Sequence, residues 1–238
     1  MKVVLDIETI QAPREEWARL AGKTPEDHAV EPAEGSYDLF TAGAADERRR
    51  IDDEQYAKSA FDGTFSQIVC IGLLEFSDQL EPRGAVAWFG GDERELLRQF
   101  WSRLAQNRPS LFITHNGLGF DLPFIRKRSM VHQVKPSVEV NLAKFRTEPV
   151  YDTMAVWSNW DTRGWVKLDV LARALNVETK SGSGSQVAEM WEKGQGLELA
   201  RYCLQDTYVT YACYSRMNFR QPLSSEVVLL QPELLNVG

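Results

Sequence analysis

At 238 residues, 43% hydrophobic and 11% aromatic, the chain is long enough to bury a sizeable core as one domain carrying an insertion. Its formal net charge of −7 excludes a protein that coats nucleic acid with a broad basic surface, though not an enzyme that grips a few phosphates locally through metal ions. No long apolar run and no basic-then-apolar leader is visible, and Cys70, Cys203 and Cys213 are odd in number without metal-ligand spacing, so the expectation is a cytoplasmic protein in a reducing compartment with no membrane partner.

Residues 2 to 10 read KVVLDIETI. Val3, Val4, Leu5, Ile7 and Ile10 have the β-branched, apolar character of a buried central strand, where acids at 6 and 8 are costly without compensation. Residues two apart on a strand share a face, so Asp6 and Glu8 present their carboxylates side by side; about 4 Å apart they would repel by roughly 4 kcal/mol at an effective dielectric of about 20. No Lys or Arg lies between Val3 and Ala12, which leaves a shared proton or a metal ion as local relief. The competing reading is an acidic pair at the exposed end of a strand.

Residues 11 to 62 are polar and read as an insertion over one end of a sheet, with EEWARLAG and AADERRRIDDEQYAKSA as helices and EPAEGSYDLF and FDGTF as loops. Ile51, Tyr56 and Ala60 are expected to face inward, and Arg48, Arg49 and Arg50, set among acids, to form a solvated face. QIVCIGLLEF (67 to 76) and AVAWFG (85 to 90) are strands joined by a short turn, hence an antiparallel meander. Asp92 caps a helix to about Gln106 with Leu96, Leu97, Phe100, Trp101 and Leu104 on one face, and LFITHN (111 to 116) is the next strand.

In THNGLGFDLPFIRKR, Gly117 and Gly119 permit a tight turn into a helix at Asp121, which reads as its N-cap, with Asn116 as a turn residue. Arg126, Lys127 and Arg128 follow as a basic cluster that solvation explains by default and phosphate contact as the alternative. Residues 131 to 150 read as irregular. YDTMAVWSNW begins a helix capped by Asp152, KLDVLARALNV is a short amphipathic helix, and KSGSGS (180 to 185) is a loop that only loosely resembles a phosphate cradle. GLELARYCLQDTYVTYACYSRM (196 to 217) is one long helix with Leu199, Cys203, Val209 and Ala212 inward and Tyr202 and Asp206, four apart, on one face. The tail contains VVLLQPELL, which packs back on the domain.

Taken in order, Asp6-x-Glu8, Asn116-x3-Phe120-Asp121 and Tyr202-x3-Asp206 resemble the three motifs of the DEDD superfamily of 3′-to-5′ exonucleases. Each motif alone is weak; the ordered set is specific. Tyr202 resembles the Tyr subclass, to which the proofreading domains of family-B DNA polymerases belong, and Arg201 stands where the His subclass would carry histidine. The QIVCIG strand and the surroundings of Tyr202 look like a bacterial and phage group of predicted exonucleases related to that proofreading domain.

That resemblance implies an α/β, ribonuclease-H-like fold, a mixed five-stranded sheet flanked by helices, over a single domain spanning residues 1–238, with the insertion at about 11–62 and a packed tail at about 218–238. It implies that Asp6, Glu8, Asp121 and Asp206 hold two Mg²⁺ or Mn²⁺ ions, with Asp6 bridging both, Glu8 and Asp206 on the ion that carries the attacking water, and Asp121 on the second. Tyr202 is implied to orient the water, and Thr9, Ile10, Asn116 and Phe120 to contact the terminal nucleotide. The implied substrate is nucleic acid with a free 3′ end, single-stranded DNA first, yielding nucleoside 5′-monophosphates, with any proofreading or repair role needing a separate polymerase or repair partner. The rivals are an exonuclease for short RNA, an inactive nucleic-acid-binding module of the same fold, and a carboxylate-rich phosphatase, which Tyr-x3-Asp on a helix disfavours.

Overall fold

The structure, a computed structural model, describes residues 1–23, 39–178 and 186–238, with the backbone alone at 39–46, 48 and 49. The KSGSGS loop, most of EPAEGSYDLF and the side chains of Arg48 and Arg49 therefore lie outside the described residues. The elements in chain order are β1 (Lys2–Gln11), α1 (Arg14–Leu20), α2 (Leu39–Ser59), β2 (Ser66–Phe76), β3 (Pro82–Phe89), α3 (Glu93–Asn107), β4 (Leu111–Thr114), α4 (Asp121–Val131), β5 (Val150–Asp152), α5 (Thr153–Trp157), a 3₁₀ turn (Thr162–Gly164), α6 (Leu168–Ala174), α7 (Val187–Glu192), α8 (Gly196–Met217), α9 (Ser225–Val228) and β6 (Glu233–Asn236). They form two compact units, Met1–Glu8 with Ile68–Gly238, and Thr9–Gln67.

The sheet is mixed, of ribonuclease-H-like type, in the order β5-β4-β1-β2-β3-β6. Strands β2 and β3 pair antiparallel as a meander, whereas β1 with β4, β4 with β5, and β3 with β6 are parallel. Six strands stand where five were expected. The additional one comes from the tail: the outer edge of β3 would otherwise leave unpaired N–H and C=O groups, and Glu233–Asn236 takes them in register from Val86↔Glu233 to Phe89↔Asn236. Arg103 on α3 binds Glu75 of β2 through two 2.8 Å hydrogen bonds and Glu233 at 3.1 Å, which fixes the tail strand to the layer beneath it.

Period-two alternation on β1 separates core from chemistry. Val3, Leu5 and Ile7 join Leu96, Leu97, Phe100 and Leu104 of α3 and Leu122, Phe124 and Ile125 of α4 in one buried cluster. The even positions face the opposite layer, which is built on α8. There Phe76 of β2 stacks on Tyr211 with centroids 4.5 Å apart, and α8 crosses the sheet at Gly72. A Cβ at Gly72 would lie 2.8 Å from the Cys203 sulfur and 3.2 Å from Thr207 Cγ2, so only glycine lets the helix come this near.

Three other expectations change. The LFITHN strand ends at Thr114, because Asn116 takes a left-handed backbone (φ 65°) in the following turn. A three-residue strand, β5, precedes α5; three residues are too few for a periodic signal. In the Thr9–Gln67 unit Ile51 is exposed, not inward, and the inward anchor is Trp17, buried edge-on against Tyr56 at 5.4 Å, with the Tyr56 hydroxyl donating to the Ala12 carbonyl at 2.9 Å. Among the described residues no helix is long and apolar enough to cross a membrane.

The close approach at Gly72 predicts that Gly72→Ala destabilises the protein by about 1–3 kcal/mol. At roughly 2–4 °C per kcal/mol for a chain of this size, thermal unfolding should register the loss. Adding Cys203→Ala, which removes the clashing sulfur, should restore most of it. A Gly72→Ala protein that melts with or above the parent would contradict the packing.

Candidate active site

Three elements deliver the four acids. Asp6 and Glu8 come from β1, adjacent on its α8-facing side. Strand β4 accompanies β1 only through Val4↔Ile113, and beyond that point the Ile7 N–H has lost its strand neighbour; it donates instead to Asp121 Oδ1 at 3.2 Å. Asp121, the first residue of α4, is thereby drawn to the end of the sheet and is 3% exposed. Asp206 comes from α8, and the Tyr202 hydroxyl one turn earlier hydrogen-bonds its carboxylate. Cys203, fully buried on the same helix, donates its thiol to the Asp6 carbonyl (3.5 Å) and towards Asp6 Oδ2 (3.7 Å).

The electrostatics follow from burial of like charge. One oxygen each of Asp6 and Glu8 and the Cys203 sulfur lie within 4.8 Å of one another, and Asp121 and Asp206 flank that group at a range where their charges still act on it. Burial first, then Glu8, Asp121 and Asp206, raises the Asp6 carboxyl well above the usual carboxylate range; burial and then Asp206 and Asp121 raise Glu8 likewise. Burial lifts Asp121 to about 7, against the lowering pull of N–H donors from its own backbone and Ile7, and lifts Asp206 to about 6, against the lowering pull of the Tyr202 hydroxyl. The phenol of Tyr202 is pushed up by burial and then by Asp206, so it remains a neutral donor at any working pH.

None of the four acids is in an ion pair among the described residues; the buried Glu75 and Glu93, in contrast, each have an arginine. Arg128 is that partner for Glu93 at 2.6 Å, so it is withdrawn from the basic cluster, leaving Arg126 and Lys127 exposed on α4. Hard oxygen donors, buried, mutually repelling and without a cationic side chain, fit one or more divalent ions of the Mg²⁺ or Mn²⁺ kind. The Cys203 thiol, raised by burial, stays protonated and acts as a donor to Asp6.

The turn before Asp121 is held by Asp152, which is 2% exposed and accepts from the N–H groups of Asn116 (2.9 Å), Leu118 (3.0 Å), Met154 (3.1 Å) and Ala155 (3.3 Å). It caps α5 and clamps the turn with one carboxylate. Asp121 is not a cap: Phe120 holds the N-cap position without a side-chain bond, and Asp121 is turned to Ile7. Phe120 is half-buried, its ring 5.4 Å from that of Phe124, and packs against the core. Thr9 and Ile10 belong to the Thr9–Gln67 unit, where the Thr9 hydroxyl donates to the Ala60 carbonyl at 3.3 Å. Cys203 and the clamping role of Asp152 are absent from the motif reading. Cys203 lies three residues before Asp206, a helical spacing that places it beside the acids; no spacing announces the clamp.

Residues 61–228 match a family described as "Predicted 3'-5' exonuclease related to the exonuclease domain of PolB". The matched span contains Asn116, Phe120, Asp121, Tyr202 and Asp206 and begins after Asp6 and Glu8. The chain is similar to the DNA polymerase of Pyrococcus glycovorans, 25% identical over 213 residues, covering 78% of this chain and 26% of that polymerase. DNA polymerase 1 of Pyrococcus abyssi is 24% identical with the same coverage. The DNA polymerase of Thermococcus gorgonarius is 28% identical over 138 residues, 50% of this chain and 17% of the polymerase. The chain spans about a quarter or less of the length of these curated relatives.

Because Asp121 and Asp206 titrate at about 7 and 6 in the fold and near 4 when unfolded, the native state binds more protons between those values. Their contribution to stability is complete below about pH 4 and is lost as pH rises through 6 to 7. Metal-free Asp206→Asn protein, freed of one of the repelling charges, is therefore expected to melt several degrees above the parent at pH 8 and with a smaller gain at pH 5. Equal or lower melting at pH 8 would contradict the repulsion.

Proposed function

Since the chain belongs to the family of predicted 3′-5′ exonucleases related to the exonuclease domain of PolB, we propose that it hydrolyses nucleic acid from a free 3′ end, single-stranded DNA in the first place, releasing nucleoside 5′-monophosphates with two bound Mg²⁺ or Mn²⁺ ions. The observation that carries this reading is the meeting of four carboxylates, Glu8 and Asp121 buried and Asp6 and Asp206 half-buried, with no cationic side chain among the described residues to pair them. Asp6, Glu8, Asp121 and Asp206 would hold the ions. When bound, the ions supply an activated water and charge stabilisation for the leaving 3′ oxygen of an in-line displacement.

The remaining roles belong to the chain itself. The Tyr202 hydroxyl donates a hydrogen bond to Asp206, which leaves a lone pair on the phenolic oxygen to accept a hydrogen bond from water and fix its direction. Asn116 and Phe120, on the clamped turn next to Asp121, would shape the site of the terminal nucleotide; their position beside Asp121 supports that role. For Thr9 and Ile10 the same role rests on their sequence position after Glu8 alone. The proposal treats the whole chain as one exonuclease domain, cytoplasmic, with residues 11–62 as an insertion and with any polymerase or repair partner on a separate chain.

The test is incubation of 3′-labelled single-stranded DNA, duplex DNA and RNA, each with Mg²⁺, Mn²⁺ or chelator. Wild-type protein should release mononucleotides from single-stranded DNA in a metal-dependent way. Asp6→Ala and Asp206→Ala should each lower the rate on the order of 10³-fold or more while the fold persists, and Tyr202→Phe should lose less than either, on the order of 10²-fold. Asp6→Ala protein that degrades the labelled end as fast as wild type would overturn the assignment.

A further inference from the structure

The segment after α4 carries a feature that the acids do not use. Phe145 and Trp160 both have left-handed backbones, φ 63° and 65°, a region bulky side chains seldom adopt unless their surroundings hold them there. Their rings meet with centroids 5.5 Å apart. Phe145 is 77% exposed and Trp165 44% exposed. With Lys144, Asn116 and Gly119 these three aromatics line a pocket of about 180 Å³.

Each wall is fixed. His115 bridges Thr153 Oγ1 (2.9 Å) and the Val166 carbonyl (3.1 Å), tying the chain beside Trp165 to the residue before Asn116. Asp152 holds the Asn116 N–H. A Cβ at Gly119 would lie 2.7 Å from Asn116 Oδ1, so glycine leaves that amide its room. The Asn116 side-chain amide hydrogen-bonds no other group among the described residues, and Lys144 is in no ion pair there. The pocket therefore offers flat apolar faces, a half-exposed amide that can both donate and accept, and a cation in no ion pair among the described residues. Those are complementary to the face of a nucleobase, its polar edge and the neighbouring phosphate.

We propose that this pocket receives one unpaired base of the substrate strand, upstream of the nucleotide being removed. The inference rests on the exonuclease reading above. Asn116 and Gly119 belong to the turn that ends at Asp121, so the pocket lies along the turn that delivers one of the four acids, and a strand with its 3′ end at those acids has further bases to place. Aromatic stacking tolerates any base, which suits an enzyme that must advance by one nucleotide regardless of sequence. Substrates too short to reach the pocket lose this contribution to binding.

The test compares wild-type, Phe145→Ala, Trp165→Ala and Phe145→Trp proteins on a long single-stranded DNA and on a dinucleotide. The alanine variants should raise KM for the long strand about tenfold, leave kcat within about twofold, and leave dinucleotide hydrolysis unchanged, while Phe145→Trp retains wild-type KM. An unchanged KM for the long strand, or an equal loss on the dinucleotide, overturns the inference. Tryptophan fluorescence with deoxynucleoside monophosphate alone is the second arm: quenching that saturates with the mononucleotide and disappears in Trp165→Ala identifies a free-nucleotide site and overturns a strand subsite. If wild-type protein hydrolyses neither substrate, the exonuclease reading fails. Fluorescence anisotropy of a labelled long strand in chelator then decides the pocket separately, weaker binding by Phe145→Ala supporting it and equal binding overturning it.

Discussion

Four carboxylates that repel one another out of water set the terms for the rest of the molecule. One oxygen each of Asp6 and Glu8 lies within 4.8 Å of the other; a single like-charge pair at about 4 Å and an effective dielectric of about 20 costs roughly 4 kcal/mol, a large fraction of a domain's net stability. Left to itself the cluster favours protons: burial and then the neighbouring acids raise the carboxyls of Asp6 and Glu8, and burial raises those of Asp121 and Asp206. A divalent cation relieves the same repulsion without protonation. A costly arrangement whose cost a bound cation would remove is what a binding site kept for function rather than stability requires.

The fold places these groups by a few local constraints. Alternation on β1 sends Val3, Leu5 and Ile7 into the core and Asp6 and Glu8 towards α8. The early end of β4 frees the Ile7 N–H, and that single donor brings Asp121 across. Gly72 lets α8 approach, so Tyr202, Cys203 and Asp206 reach the same place from a third direction. Asp152, with four N–H groups on one carboxylate, makes the turn before Asp121 rigid enough to serve both α4 and the aromatic pocket beside it.

What was legible in the sequence was whatever carries a period or a motif. The β-branched, apolar run of KVVLDIETI identifies β1, and the 22-residue α8 has the expected ends because its buried stripe repeats at helical spacing. The five motif residues belong to an ordered pattern that reads without coordinates. The short strands β5 and β6 were not legible, being set by open sheet edges rather than by composition. Nor was the burial of Arg128 on Glu93, since a basic run on a helix looks the same whether solvated or paired. Ile51 shows the converse error, an apolar residue on a polar helix that remains at the surface. The aromatic pocket draws on residues 116 to 165 through three left-handed positions, Asn116, Phe145 and Trp160, and backbone sign is invisible in side-chain pattern.

The central claim is that the buried acids constitute a divalent-cation site. Counting bound Mn²⁺ by electron paramagnetic resonance, in wild-type and Asp6→Asn protein at the same pH, addresses it without reference to any substrate. The account predicts saturable uptake by the wild-type chain that is lost or weakened at least tenfold in the variant, since Asp6 lies at the centre of the cluster. Identical uptake by the two proteins, or none by either at millimolar Mn²⁺, would contradict it.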